Sequence, residues 1–436
     1  MFALGVFSVI IFISVLILVY CFIGFGRELS SKRGHASNVT RLSYHPGTTR
    51  NKSNISRITI AGLSLVLPTV VHSQTSSNAP LPVPTMAGLP STASPKTFDA
   101  GPLGKLNVAG VLSGFGSWQG YPNPGDKAAR ADVSNAQILI QKANGLVQYF
   151  LEAGVYNIPV LGTPSLSTRN TVSDFFGPLP QAYLKIAPKG NFSFLIGKLP
   201  TLIGAEDTFT FENLNIERGL LWNQENAINR GVQVNYTKGR LSGSLVWGDG
   251  FYSDRYNWLS GALTDAINST NSVEFVAGGN CGQTAYSNMA TPLYQNNSDI
   301  YDLSYTHTAK RWMIEPYLQY TYVPQNARLG VGRATATLGG AILGNYTFTS
   351  HVSLAERAEY IDSTGNPMDG AVNLLYGPGS SAWSITVTPA FQKKAFFMRG
   401  DVSFTQAINP RLGDAFGVLG RNAAQARGMI EAGFSF

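Results

Sequence analysis

The sequence predicts an all-β fold: a transmembrane antiparallel β-barrel of about 16 strands, with short turns at one end and long loops at the other. The C-terminal stretch is the first sign. At period two, Gly428, Ile430, Ala432, Phe434 and Phe436 fall on one face, while Arg427, Met429, Glu431, Gly433 and Ser435 fall on the other. A strand that is apolar on one side, polar on the other and ends on an aromatic residue suits a lipid-facing wall. Composition is the second. Only 13% of residues are charged, about half the usual ~25%, and beyond residue 75 no apolar run reaches the ~18 residues of a membrane helix. The third is the rhythm of the connections, which alternate short and long.

Taken in order, the chain begins with a leader. Met1 to Gly26 is apolar and uncharged, and a second export pattern follows: Arg50, Lys52 and Arg57, an apolar core from Ile58 to Val71, and Ser73 before Gln74. We expect a signal peptide over about residues 50–73, cleaved after Ser73. Two tandem export signals are redundant, so we expect the start to be mis-set and residues from Met1 to about Asn38 not to be made. A genuine N-terminal membrane anchor is the alternative. Residues 74–104, with Pro80, Pro82, Pro84, Pro90, Pro95 and Pro102, read as an extended linker. Residues 105–436 read as one barrel domain.

Candidate strands lie near 105–118, 133–143, 146–157, 180–188, 191–200, 230–238, 240–249, 258–267, 272–280, 299–308, 311–323, 332–348, 351–361, 381–392, 394–407 and 426–436. The tight connections, such as Lys142-Ala143-Asn144-Gly145, Pro188-Lys189-Gly190-Asn191 and Thr237-Lys238-Gly239-Arg240, have hairpin chemistry. The others are long, the longest running from Thr201 to Asn229. Short periplasmic turns and longer external loops are barrel topology, and an even strand count puts both ends on the periplasmic side. Face assignments agree. Phe396, Met398, Val402 and Phe404 alternate with Arg399, Asp401, Ser403 and Thr405; Trp383, Ile385, Val387 and Phe391 alternate with Ser384, Thr386, Thr388 and Gln392. One strand resists, because its alternation puts Glu356 on the lipid side; a bulge or a headgroup-level position would reconcile it.

The net charge of +7 does not announce a polyanion partner. Seven of the 32 Lys and Arg and one of the 25 Asp and Glu lie in residues 1–73, which leaves 25 bases against 24 acids. No nucleic-acid surface is implied. Two cysteines, Cys21 and Cys281, give no disulfide framework.

About 16 strands enclose an aqueous lumen rather than a filled core. The Thr201–Asn229 loop carries Glu206, Asp207, Glu212, Glu217 and Arg218. We expect it to fold inward as a constriction, where low-dielectric walls focus the field of its carboxylates; the bland alternative is a solvated surface loop. Wall partners would come from Lys185, Arg357, Arg399 and Arg427, with Glu152, Asp302, Glu315, Glu359, Asp401 and Glu431 as neighbours. Acids outnumber bases here, which leans toward cations.

A resemblance adds to this. Gly197-Lys198-Leu199-Pro200-Thr201, Ile203-Gly204-Ala205-Glu206, Glu217-Arg218-Gly219-Leu220-Leu221, Asn229-Arg230-Gly231-Val232-Gln233 and Trp247-Gly248-Asp249-Gly250 occur in order. This set resembles the OmpL-like putative beta-barrel porin family, from about Lys105 to Phe436. The resemblance implies a bacterial outer-membrane porin passing small hydrophilic solutes or ions and embedded among outer-membrane lipid and lipopolysaccharide. Ile430, Phe434 and Phe436 resemble the insertion signal read by the barrel-assembly machinery. A homotrimer stays open, because trimer interfaces and lipid-facing walls look alike in sequence.

Two rival functions compete with a channel. An enzyme would need a nucleophile and base, yet the barrel region offers only His307 and His351, both beside tight turns and without Gly-x-Ser-x-Gly. No metal spacing and no cofactor motif is present. A barrel plugged by its own loop, acting structurally or adhesively through its external loops, is the second rival.

Overall fold

A computed structural model describes residues 95–436. The expected leader, its cleavage site and most of the linker lie outside the described residues. The strands are β1 (Lys96–Asp99), β2 (Lys105–Gln119), β3 (Ala129–Lys142), β4 (Val147–Tyr156), β5 (Gln181–Ile186), β6 (Phe192–Pro200), β7 (Ile228–Lys238), β8 (Leu241–Gly248), β9 (Trp258–Asn268), β10 (Asn271–Asn280), β11 (Asp299–Thr308), β12 (Trp312–Val323), β13 (Thr335–Thr347), β14 (Val352–Ser363), β15 (Ser381–Lys393), β16 (Phe396–Ile408) and β17 (Ala424–Ser435). One short helix, α1 (Thr168–Asp174), lies in the loop between β4 and β5. Ser167 caps it, its side chain accepting the Asn170 N–H.

β2 to β17 pair antiparallel in sequence order, and β17 closes on β2 from Arg427↔Gln119 to Ser435↔Val111. The result is a closed 16-strand barrel in which every expected strand is present. The ends move by a few residues. β3 begins four residues early, at Ala129, because the strand continues above the apolar band, where Arg130 reaches Asp126 at 3.7 Å and donates to the Ser165 carbonyl. Within the expected linker, Lys96–Asp99 pairs with Lys105–Val108 through a glycine-bounded turn, Gly101 to Gly104.

The alternation read from sequence sorts the two faces. Along β17, Ile430 is 64% exposed and Phe434 54%, whereas Glu431 between them is 0% exposed. Exposed residues such as Leu112, Leu184, Ile196, Leu245, Leu263 and Val402 make the outer wall apolar, as lipid requires. β14 runs in unbroken register with both neighbours, from Ser353↔Thr347 and Val352↔Phe391 upward. No bulge rescues Glu356, and it faces outward.

Backbone crowding fixes one glycine. Gly197 adopts φ +140°, and a Cβ there would lie 2.2 Å from the Ala182 carbonyl oxygen; only glycine fits. It stands at the top of β6, where the chain turns into its longest connection.

Candidate pore constriction

The segment between Pro200 at the end of β6 and Ile228 at the start of β7 lies inside the barrel. Two 3₁₀ turns, Thr210–Glu212 and Leu221–Gln224, give it local form. The Glu212 carboxylate accepts the Phe209 N–H at 2.9 Å, tying off the first turn. Asn213 fixes the same bend, donating to the carbonyls of Asp207 and Phe209.

Three wall arginines pin this segment to one side of the lumen. On β14, Arg357 pairs with Glu206 at 2.5 Å and donates to the Glu217 carbonyl. On β17, Arg427 pairs with Glu217 at 3.0 Å and donates to the carbonyls of Val160 and Thr163. On β16, Arg399 pairs with Glu431 at 2.7 Å and donates to the carbonyls of Asn213 and Thr210. Wall acids receive the loop backbone: Asp401 accepts the N–H groups of Ile216 and Glu217 at 2.8 and 2.9 Å, and Glu359 accepts that of Leu220 at 2.7 Å. Charge-assisted bonds of this kind are short and strong.

Packing accompanies the polar clamp. Leu214, Leu220 and Leu221 meet the inward faces of Met313, Tyr317, Leu343 and Ile361. Phe209 and Phe211 meet Val111, Tyr156 and Phe397, with Tyr156 edge-on to Phe209 at 5.0 Å. Further round the same wall, on β12 and β11, the Glu225 carboxylate accepts Tyr317 Oη and Gln319 Nε2, each at 2.7 Å, and the Gly204 N–H donates to Asp302 at 2.9 Å.

The residues singled out from sequence therefore separate into groups. Glu206, Glu217, Arg357, Glu359, Arg399, Asp401, Arg427 and Glu431 join one network. Arg218 is fully buried but braces its own segment, donating to the carbonyls of Ile216 and Thr208; burial lowers its pKa to about 10, with Glu206 opposing the fall. Among the described residues, Asp207 and Glu212 have no basic partner within ion-pair distance. Burial raises Asp207 to about 7 despite Arg218, and burial together with Glu152 and Asp207 holds Glu212 well above the usual carboxylate range. Glu152 receives Gln137 at 3.0 Å. Lys185 and Glu315 stay partly exposed on the inner faces of β5 and β12. The sequence reading missed Glu225, and it missed the inward Met313, Leu343, Ile361 and Phe397. Apolar side chains on the polar phase of adjacent strands are the signal that something packs inside.

Inward side chains of β5 to β9 toward the short turns, namely Lys185, Ser193, Gln233, Asn235, Ser244 and Thr264, keep partial exposure. Four of them are linked by hydrogen bonds: Gln233 and Ser244 both donate to Asn235 Oδ1 at 2.7 Å, and Asn235 donates to Ser193 at 3.2 Å. Away from the lumen, Cys281 is a free, exposed thiol. His307 lies 2.7 Å from Asn271 and against Trp312, at a strand end.

A closed barrel with an apolar exterior and a charged interior defines the class: an outer-membrane β-barrel channel. The chain belongs to the family described as "Putative beta-barrel porin-2, OmpL-like", which matches residues 105–436. No curated protein sequence matches the chain. Among solved structures, the outer membrane channel DcaP of Acinetobacter baumannii is 10% identical, covering 76% of this chain and 97% of that one with a TM-score of 0.51. OmpT of Vibrio cholerae is 11% identical, covering 76% and 98% with a TM-score of 0.49. At these identities the likeness to DcaP bears on the fold alone. Family and fold point to a channel rather than an enzyme.

Proposed function

We propose that the channel passes small hydrophilic solutes by passive diffusion and that the 201–229 loop narrows it. The observation that supports this is the asymmetry of the lumen. The loop is fastened to β14, β16 and β17, while the polar strip on β5 to β9 keeps its exposure to water. The path on this reading is off-centre, between the loop and that strip. Glu206 and Glu217 are neutralised by Arg357 and Arg427, so the field along the path comes from Glu315 and, above about pH 7 where burial lets it ionise, Asp207 against Lys185, a lean toward cations that strengthens as pH rises. Arg218 shapes the loop from beneath.

Conductance of the purified protein in a planar bilayer under a salt gradient tests this. Stable steps with a reversal potential of cationic sign are expected; anion preference overturns the charge assignment. A folded barrel that stays electrically silent favours the second reading, a plugged barrel acting through its external loops. The breadth of the loop's contacts, from Ile203 against Val276 and Ile300 on β10 and β11 round to Thr210 on Asn135 of β3, favours that reading.

Export and assembly belong to the same proposal. A signal peptide ending at Ser73 delivers the chain, and the last strand, with Ile430, Phe434 and Phe436, engages the barrel-assembly machinery. Lipopolysaccharide surrounds the outer end, and the oligomer is a trimer if the wall around β17 is shared.

A further inference from the structure

The outward wall is apolar along the bodies of its strands, and Glu356 breaks that rule. It is the fifth residue of β14, about 13 Å along the strand from Val352 at 3.3 Å per residue, hence roughly 10 Å up the barrel axis at the usual tilt. Other charged side chains on the outer face are placed differently. Lys142 and Lys238 close their strands, Asp299 opens one, and Asp362 lies one residue from the end of β14. Asp265 pairs with Arg240 at 3.0 Å, Arg230 with Asp249 at 2.7 Å, and Lys198 donates to the carbonyls of Phe176 and Leu179. Among the described residues on that face, Glu356 is the charged side chain within a strand body that has neither an ion pair nor a hydrogen bond. A carboxylate facing hydrocarbon is costly, and where one is kept it calls for a partner.

The surroundings of Glu356 are shaped for one. Directly across on β13 stands Gly344, whose Cβ position meets nothing nearer than the Met313 carbonyl oxygen at 3.9 Å. The missing side chain leaves a notch beside the carboxylate. One rung nearer the short turns, Tyr346 stands opposite Leu354 and beside Trp312 in register, which brings an aromatic ring within diagonal reach of Glu356.

We propose that this notch binds the primary ammonium of a phospholipid headgroup, of the phosphatidylethanolamine class, from the leaflet on the short-turn side. Charge complementarity requires a cation. A primary ammonium has three N–H donors for the carboxylate oxygens, and the Tyr346 ring adds a cation–π face. A glutamate leaning toward the rim shortens the distance to the headgroup layer, as long charged side chains do in membranes. A second copy of the chain does not supply the partner from its wall: among the described residues, the outward bases either lie at strand ends or are already bonded.

The test is thermal unfolding of the full-length protein in phosphatidylcholine vesicles doped with phosphatidylethanolamine or with phosphatidylglycerol. Phosphatidylethanolamine is expected to raise the midpoint of the wild type by about 2–4 °C over phosphatidylglycerol. Glu356→Gln should abolish that difference without lowering the midpoint in phosphatidylcholine alone, and Gly344→Val, which fills the notch, should abolish it as well. An equal phosphatidylethanolamine effect in Glu356→Gln, or none in the wild type, overturns the proposal. So does a Glu356→Gln protein that loses an oligomer in every lipid, which would assign the carboxylate to a protein contact.

Discussion

Arg399 shows how much one side chain organises. Fully buried on β16, it neutralises Glu431 and holds two carbonyls of the inner loop, at Asn213 and Thr210. Removing one member of a buried pair strands the other charge, at a cost of about 3–5 kcal/mol. Arg399→Ala should therefore lower the temperature at which the folded, heat-modifiable form is lost. Arg399→Lys should recover only part of the loss, because an ammonium lacks the planar fork. Asp207 acts in the opposite sense. Its carboxyl is raised from 3.8 to about 7 by burial, so the packed loop holds a proton there that a released loop gives up at lower pH. Between about pH 4 and 7 the released state binds fewer protons, and the packed state loses stability as pH rises. Loop cleavage by added protease, or current noise, should increase across that window. Asp207→Asn should flatten the dependence; an unchanged profile in the variant would remove Asp207 from the account.

At the scale of elements, Gly197 and the inner loop carry the sharpest expectations. Gly197→Ala forces a Cβ against the Ala182 carbonyl at positive φ and should cost about 1–3 kcal/mol, read as a lowered unfolding midpoint. Asn215 on the loop donates to Thr388 on β15 at 2.6 Å. A Cys pair at these positions, in a Cys281→Ser background and bridged by a short thiol reagent, should leave conductance unchanged if the loop already rests inside. A large drop would mean that the conducting state releases it. Strands and loop were not equally legible in the sequence. Period-two alternation and Gly, Asn and Lys turns are local signals, so all sixteen strands could be read from their own residues. The contacts of the loop are not local. Glu206 meets Arg357 and Glu217 meets Arg427 across more than a hundred residues of chain, and only barrel closure decides which wall they face. The sequence showed the correct charges and left their pairing open. Glu356 was legible as an anomaly, but the choice between bulge and outward placement needed the register.

For the molecule as a whole, the seam between β17 and β2 is where the chain's last residue acts. Phe436 exchanges backbone hydrogen bonds with Gly110 at 2.8 and 3.0 Å, and its ring occupies the space where a Cβ on Gly110 would lie, 2.5 Å away. Deleting Phe436 should reduce the yield of folded barrel in membranes more than it reduces the unfolding midpoint of barrels that do form. Equal losses would make the residue purely a packing element. The same seam is staggered. The C-terminal strand accompanies β2 only as far as Gly110, so the Lys105–Val108 stretch would present bare N–H and C=O groups to any extended peptide. β1 lies against that stretch, from Lys96↔Val108 to Asp99↔Lys105. The barrel thus carries its own edge guard: a four-residue strip that denies strand addition at the rim beside the seam. A chain trimmed past Asp99 should recruit extended peptides, or its own neighbours, at that rim.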